Sequence, residues 1–307
     1  MEEVKVERPD TILFSIPDFY NKFHLQEILL DIMDKEPDLF YPDAKIDSIY
    51  GTFPGAIWNG GRGSIGGTTY KNIYETIKFF NERKISVRFT FTNSQIEEKH
   101  LGDTYCNTIL EVASKCAQEC KIANGVNVNR DILRDHVRKE FPDLYIVYST
   151  TKGIDKDHLD LFNAMCEDAI TVANYNWNKD ILNMDIKHPE NVELLVSEAC
   201  IENCPNRMAH YADIGKQQLC QQCNGYTCPF GAENYYYYDR VPRMGHYISP
   251  EMTRTILPFN GFYQFKIPGR NDNNINTVEN YVNYLGSAEP EIRDNLRNKI
   301  LLSLVGF

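Results

Sequence analysis

The feature that most constrains this chain is a repeated exchange between two hydrophobic periods. Short runs of β-branched and aromatic residues give way to segments whose apolar residues recur at helical spacing, and then return. Residues 46–52, 85–92, 126–128, 144–148, 169–172, 192–196 and 262–267 read as strands. Between them, residues 70–83 form an amphipathic helix with Ile73, Ile77 and Phe80 on one face. Residues 108–121, 130–140, 158–166 and 277–285 read as further helices, and 179–184 as a short one. Asn129 is the expected cap of the helix at 130–140, and Pro142 stands just past its end.

Strands separated by helices must pair in parallel through right-handed crossovers, because the intervening helix returns the chain to the same sheet edge. About seven or eight such units favour a closed TIM-type (β/α)8 barrel over an open doubly wound sheet. The expected organisation is one α/β barrel domain over residues 46–307, with residues 1–45 packing against it. An irregular cysteine-rich insertion is expected at 200–249, at the carboxyl ends of the strands. Residues 287–307 close the chain as a helix, with Ile292, Leu296, Ile300 and Leu301 in register.

Composition narrows the class. The 307 residues carry 32 basic and 43 acidic side chains, a net charge of −11, so no broad basic face for DNA is expected. No apolar run is long enough to span a membrane, and the first ten residues lack the basic and apolar regions of a signal peptide. A cytoplasmic location is the expectation. Nine cysteines in a reducing compartment are not expected to form structural disulfides.

Five of those cysteines fall between positions 200 and 228. They read Cys200-Ile-Glu-Asn-Cys204, then Cys220-Gln-Gln-Cys223, then Cys228. Thiolates two to four residues apart chelate a metal because the loop can turn both sulfurs inward. Cys200, Cys204, Cys220 and Cys223 are therefore the expected ligands, with Cys228 in reserve. The centre would be a [4Fe-4S] cluster or a structural Zn²⁺; spacing does not choose between them. His210, between the two pairs, is an alternative ligand. Cys116 and Cys120 share a helix face and read as core.

Other candidates surround this stretch. Glu198 would lie beside the cysteines, as a general base or an acceptor for their neighbours. Gly61-Arg62-Gly63-Ser-Ile-Gly66 matches a nucleotide-binding spacing, but about fifteen residues separate strand from helix where that motif needs a tight turn. Arg62 and Arg270 are instead expected to position an anion. Asn93, Asn174 and Asn176 at strand ends are candidate substrate ligands. Lys266 would point into the barrel, where burial demands a partner. The tyrosines at 235–238 read as an edge strand covering the cluster, beside Arg240 and Arg243. No serine nucleophile elbow or H-E-x-x-H appears, which weighs against a literal protease.

Several of these segments, in order, resemble peptidase family U32. They are Ser48-Ile-Tyr-Gly51 with Gly60-Gly-Arg62, the 86–93 strand ending Phe-Thr-Asn, and the passage at 138–150 ending Tyr-Ser-Thr. They continue with Val196-Ser-Glu-Ala-Cys200 and Phe265-Lys-Ile-Pro-Gly-Arg270. The resemblance implies a barrel holding a four-cysteine [4Fe-4S] cluster. It also implies either oxygen-independent hydroxylation or another modification of a small molecule or RNA, or a peptidase-like hydrolysis. A non-enzymatic subunit presenting its Tyr-Arg segment to a protein partner is the third expectation. The family's His-Gly-Ala before the first cysteine is Ser-Glu-Ala here, so fold and cluster carry over better than substrate.

Overall fold

A computed structural model describes residues 8–61, 66–223, 228–230, 235–269 and 273–306. In chain order its elements are β1 (Ile12–Pro17), α1 (Phe23–Lys35), β2 (Ala44–Gly51), α2 (Tyr70–Glu82), β3 (Ser86–Phe91) and α3 (Thr104–Cys120). Then come β4 (Gly125–Val128), α4 (Asp131–Glu140), β5 (Tyr145–Tyr148), α5 (Leu159–Asp168), β6 (Ile170–Val172) and β7 (Val192–Leu195). The chain ends with α6 (Arg207–Gln218), α7 (Tyr237–Arg240), α8 (Ile256–Phe259), β8 (Gln264–Lys266), α9 (Asn274–Tyr284) and α10 (Pro290–Leu304).

The eight strands pair in sequence order and close, β8 returning to β1, with every pairing parallel. This is a TIM-type (β/α)8 barrel. Outward residues such as Ile12, Phe14, Val87, Phe89 and Phe265 pack under the helices in the main apolar core. Local chemistry supports several helix starts: Thr69 caps α2 through Asn72 N–H, and Asp103 caps α3 through Cys106 N–H.

Three expectations are revised. The barrel begins inside the segment assigned to packing against it, since Ile12–Pro17 is its first strand, paired on both sides. A six-residue apolar run ending in proline has no period long enough to separate strand from helix. Asn129 does not cap α4; Arg130 occupies that position without a side-chain bond, and Asn129 donates to Thr151 Oγ1 at 3.0 Å. The tyrosine run is not an edge strand. It opens the four-residue α7, with Tyr237 fully buried against Ala199 and Val241 while Tyr236 and Tyr238 are exposed.

The barrel interior is unusually polar at mid-height. Arg88 on β3 donates to Glu193 Oε1 on β7 at 2.5 Å, and Lys266 on β8 donates to Glu193 Oε2 at 3.3 Å. Arg88 also donates to the Tyr145 hydroxyl at 2.7 Å and to Asp47 at 3.3 Å. Glu193 is almost wholly enclosed, so each of these contacts offsets a large desolvation cost.

Candidate active site at the barrel mouth

The carboxyl ends of all eight strands open into one cavity of about 510 Å³. Its wall takes Asp18 after β1, Thr52 after β2, Thr90 on β3, Asn127 on β4, Ser149 and Thr151 after β5, Val172 on β6, Leu195 and Glu198 at β7, and Lys266 on β8. Loops at this end diverge from a rigid sheet, which is why barrel chemistry gathers there. α6 forms part of the roof, contributing Arg207, His210, Tyr211 and Ile214.

A hydrogen-bonded clamp holds that roof to the barrel. Asn93 donates from its amide to Ile57 O at 2.8 Å and to Gly215 O in α6 at 3.1 Å, and its Oδ1 accepts from Gln95 N–H. A Cβ on Gly215 would stand 2.3 Å from Asn93 Oδ1, so the close approach requires glycine there. Arg207 at the start of α6 lies over the Tyr175 ring at 4.2 Å and near that of Tyr211 at 5.2 Å.

The residues singled out from sequence are distributed as follows. Glu198 and Lys266 line the cavity. Glu198 is buried and accepts from Cys200 N–H at 3.0 Å, which fixes its carboxylate beside the first cysteine. Asn93 and Asn174 do not line it: Asn93 makes the roof clamp, and Asn174 Oδ1 accepts from Asn176 N–H at a turn. Arg62 and Arg270 lie outside the described residues. His210, expected between the cysteine pairs as an alternative metal ligand, sits on α6 and faces the cavity. The stretch expected to be irregular thus contains a twelve-residue helix, which sequence reading missed because the cysteines on either side drew the whole segment into one loop.

The cysteines assemble only in part. Cys200 is buried directly beyond β7 and packs with Cys204. Burial raises the Cys204 thiol, and the neighbouring Cys200 and Cys228 sulfurs raise it further. Cys220, past the end of α6, is exposed at a left-handed φ of 54°. Among the described residues, no three His, Cys, Asp or Glu side chains are placed to hold a metal ion. As arranged, the described thiols supply a close pair with a third nearby.

Electrostatics single out the cavity floor. Burial depresses the Lys266 amine below the ordinary lysine range, against the pull of Glu193 and with help from Arg88. Burial also opposes charge on Glu193, but Lys266 and Arg88 outweigh it and hold the carboxyl low. The Tyr50 ring lies 3.6 Å from Lys266 Nζ, and its hydroxyl donates to Ile267 O at 2.7 Å. Sequence reading caught Lys266 but missed Arg88, Glu193 and Tyr50; the period-2 position of two charges in short apolar strands was the available signal.

Comparison with known proteins bears on the fold. The solved structure of the U32 peptidase Mk0906 matches with a TM-score of 0.51, covering 85% of this chain and 94% of that one at 14% sequence identity. The chain has a U32-like fold. No family model and no curated protein matches the sequence. The U32 resemblance read from the motifs therefore stands at the level of the barrel. Among the described residues, no helix of this U32-like chain is long and apolar enough to cross a membrane.

Proposed function

We propose that this chain is an enzyme acting on a small polar molecule, negatively charged in part, bound in the barrel mouth. One observation carries the reading: a 510 Å³ cavity built from every strand end, with Arg207 and His210 above and Lys266 below. That volume suits a small molecule. An RNA chain would need an extended basic track, which the acidic balance of the sequence does not favour. The substituents best placed to meet the substrate are Lys266, Glu198 and the hydroxyls of Thr90 and Thr151.

Ile214→Trp tests this, because it adds bulk to the cavity from its α6 roof and leaves the strand residues unchanged. Thermal shift against a panel of small carboxylates and phosphates should find a stabilising ligand for the natural protein and lose it in I214W. A ligand that stabilises both equally would put binding elsewhere and sink the reading.

A second reading is favoured by Cys204, which packs with Cys200 and is also within electrostatic reach of Cys228. We propose that these, joined by Cys220 or Cys223, hold the [4Fe-4S] cluster, or Zn²⁺, that their spacing suggests. Anaerobic purification with iron, sulfide and zinc analysis tests it. If the cysteines hold a metal, Cys204→Ser should lose it and several kcal/mol of stability, the scale of a lost metal site. A Cys204→Ser protein that keeps its metal content and loses less than about 1 kcal/mol would sink this reading.

A further inference from the structure

We propose that Lys266 is a nucleophile that forms an imine with a carbonyl compound held in the mouth cavity. The proposal deepens the reading of the mouth as a substrate site and rests on it.

The argument begins with placement. Lys266 ends the last barrel strand, on the cavity floor, and is only 8% exposed, so its amine borders the space a substrate would fill. A buried amine normally survives as an ammonium in a tight ion pair. Here that pairing is present but loose. Arg88 takes one oxygen of Glu193 at 2.5 Å and already neutralises the carboxylate, while Lys266 makes a single, longer contact of 3.3 Å to the other. A guanidinium cannot give up its proton, whereas an ammonium can. Of the two cations sharing one carboxylate, Lys266 is therefore the one that can become neutral. Burial works in the same direction on its amine.

The other groups facing Lys266 do not restore a charge partner. β1 presents Ser15, whose hydroxyl is buried without a hydrogen-bond partner, and β2 presents the Tyr50 ring, whose face lies 3.6 Å from Nζ in a cation–π contact without supplying an anion and whose hydroxyl is engaged with Ile267 O. Burial, followed by Glu193, pushes the Tyr50 phenol well above its ordinary value, so it is neutral. Across the same cavity, Asn127 Oδ1 is buried and has no partner, leaving an acceptor for a polar ligand.

In the step itself the neutral amine adds to the carbonyl carbon. Both of its protons pass to the carbonyl oxygen, which leaves as water, so C=N replaces C=O with no net redox change. Desolvated lysines activated in this way recur in covalent catalysis.

The test traps the imine in the intact protein. Glyoxylate with sodium cyanoborohydride converts each reactive lysine to carboxymethyl-lysine, and peptide mass mapping gives a rate for each site across pH. Each unit of lowered amine pKa raises the neutral fraction about tenfold, so Lys266 should reach its rate plateau at a lower pH than the exposed Lys71 and Lys139. Comparing profile shapes removes the effect of access. A Lys266 profile that climbs in step with Lys71, or no adduct at Lys266, overturns the proposal. I214W separates the two readings. Loss of the adduct supports both, while an unchanged adduct retains the nucleophilic lysine but overturns the mouth as the place where it meets its carbonyl.

Discussion

The two ends of the barrel are built from the same strands and use their charges in opposite ways. At the amino end, a second cavity is lined by Asp47, Arg88, Arg138, Tyr145 and Asp168, and these groups bond to one another. Arg138 pairs with Asp168 at 2.7 Å, Arg88 with Asp47 at 3.3 Å, and the Tyr145 hydroxyl joins Ser86 at 2.7 Å. At the carboxyl end, Lys266 keeps one loose carboxylate contact and Asn127 Oδ1 has none. A closed set of partners stabilises; a set left incomplete is available to a ligand. The difference is one of pairing: the amino-end charges are satisfied among themselves, whereas Lys266 and Asn127 at the mouth retain bonding capacity.

Arg88 joins the two ends, so its removal is the strongest way to break the contrast. Arg88→Met leaves Glu193 buried with only the weaker Lys266 contact, and breaking such a pair costs about 3–5 kcal/mol. Urea denaturation reads this directly. A loss below about 1 kcal/mol would mean that water, rather than Arg88, satisfies the carboxylate.

Gly215→Ala sharpens the contrast at the mouth. Alanine gains about 1 kcal/mol of helix propensity. It also collides with Asn93 and breaks the roof clamp, whose hydrogen bonds are each worth about 1 kcal/mol. A net loss of about 1–2 kcal/mol is expected, with faster amide exchange confined to α6. Exchange that speeds up equally throughout the barrel would show that α6 is not a separable roof.

The smallest effect concerns pH. His136 sits outside the barrel on α4, its Nε2 2.8 Å from Asn107 Oδ1 and its ring against Trp58. Burial lowers its pKa from the ordinary 6.5, partly offset by Glu140. The unfolded chain therefore takes up the proton first, so stability is full above 6.5 and declines as pH falls below it. His136→Gln should flatten that decline without changing the behaviour of either barrel end, as followed by melting temperature against pH.

Much of the barrel was legible in the sequence because helical and strand periods are local. The stretches read at 70–83, 85–92 and 277–285 became α2, β3 and α9 with ends shifted by a few residues. The segments that escaped were those whose identity depends on distant partners. Ile12–Pro17 is a strand because β2 and β8 flank it, and Tyr237 is buried because Ala199 and Val241 reach it from elsewhere. Asn93 was legible as a polar residue at a strand end, but only folding could direct it to Gly215, 122 positions away.

The sequence by itself determined an α/β barrel and the stretch in which its cysteines gather, since hydrophobic period and residue spacing act over a few bonds. Tertiary structure alone decided which charges share a carboxylate and which cysteines approach one another. It also placed a helix over the mouth. Those outcomes follow from barrel closure, which brings β3, β7 and β8 to a common axis and makes the environment of Lys266 depend on residues 73 and 178 positions away.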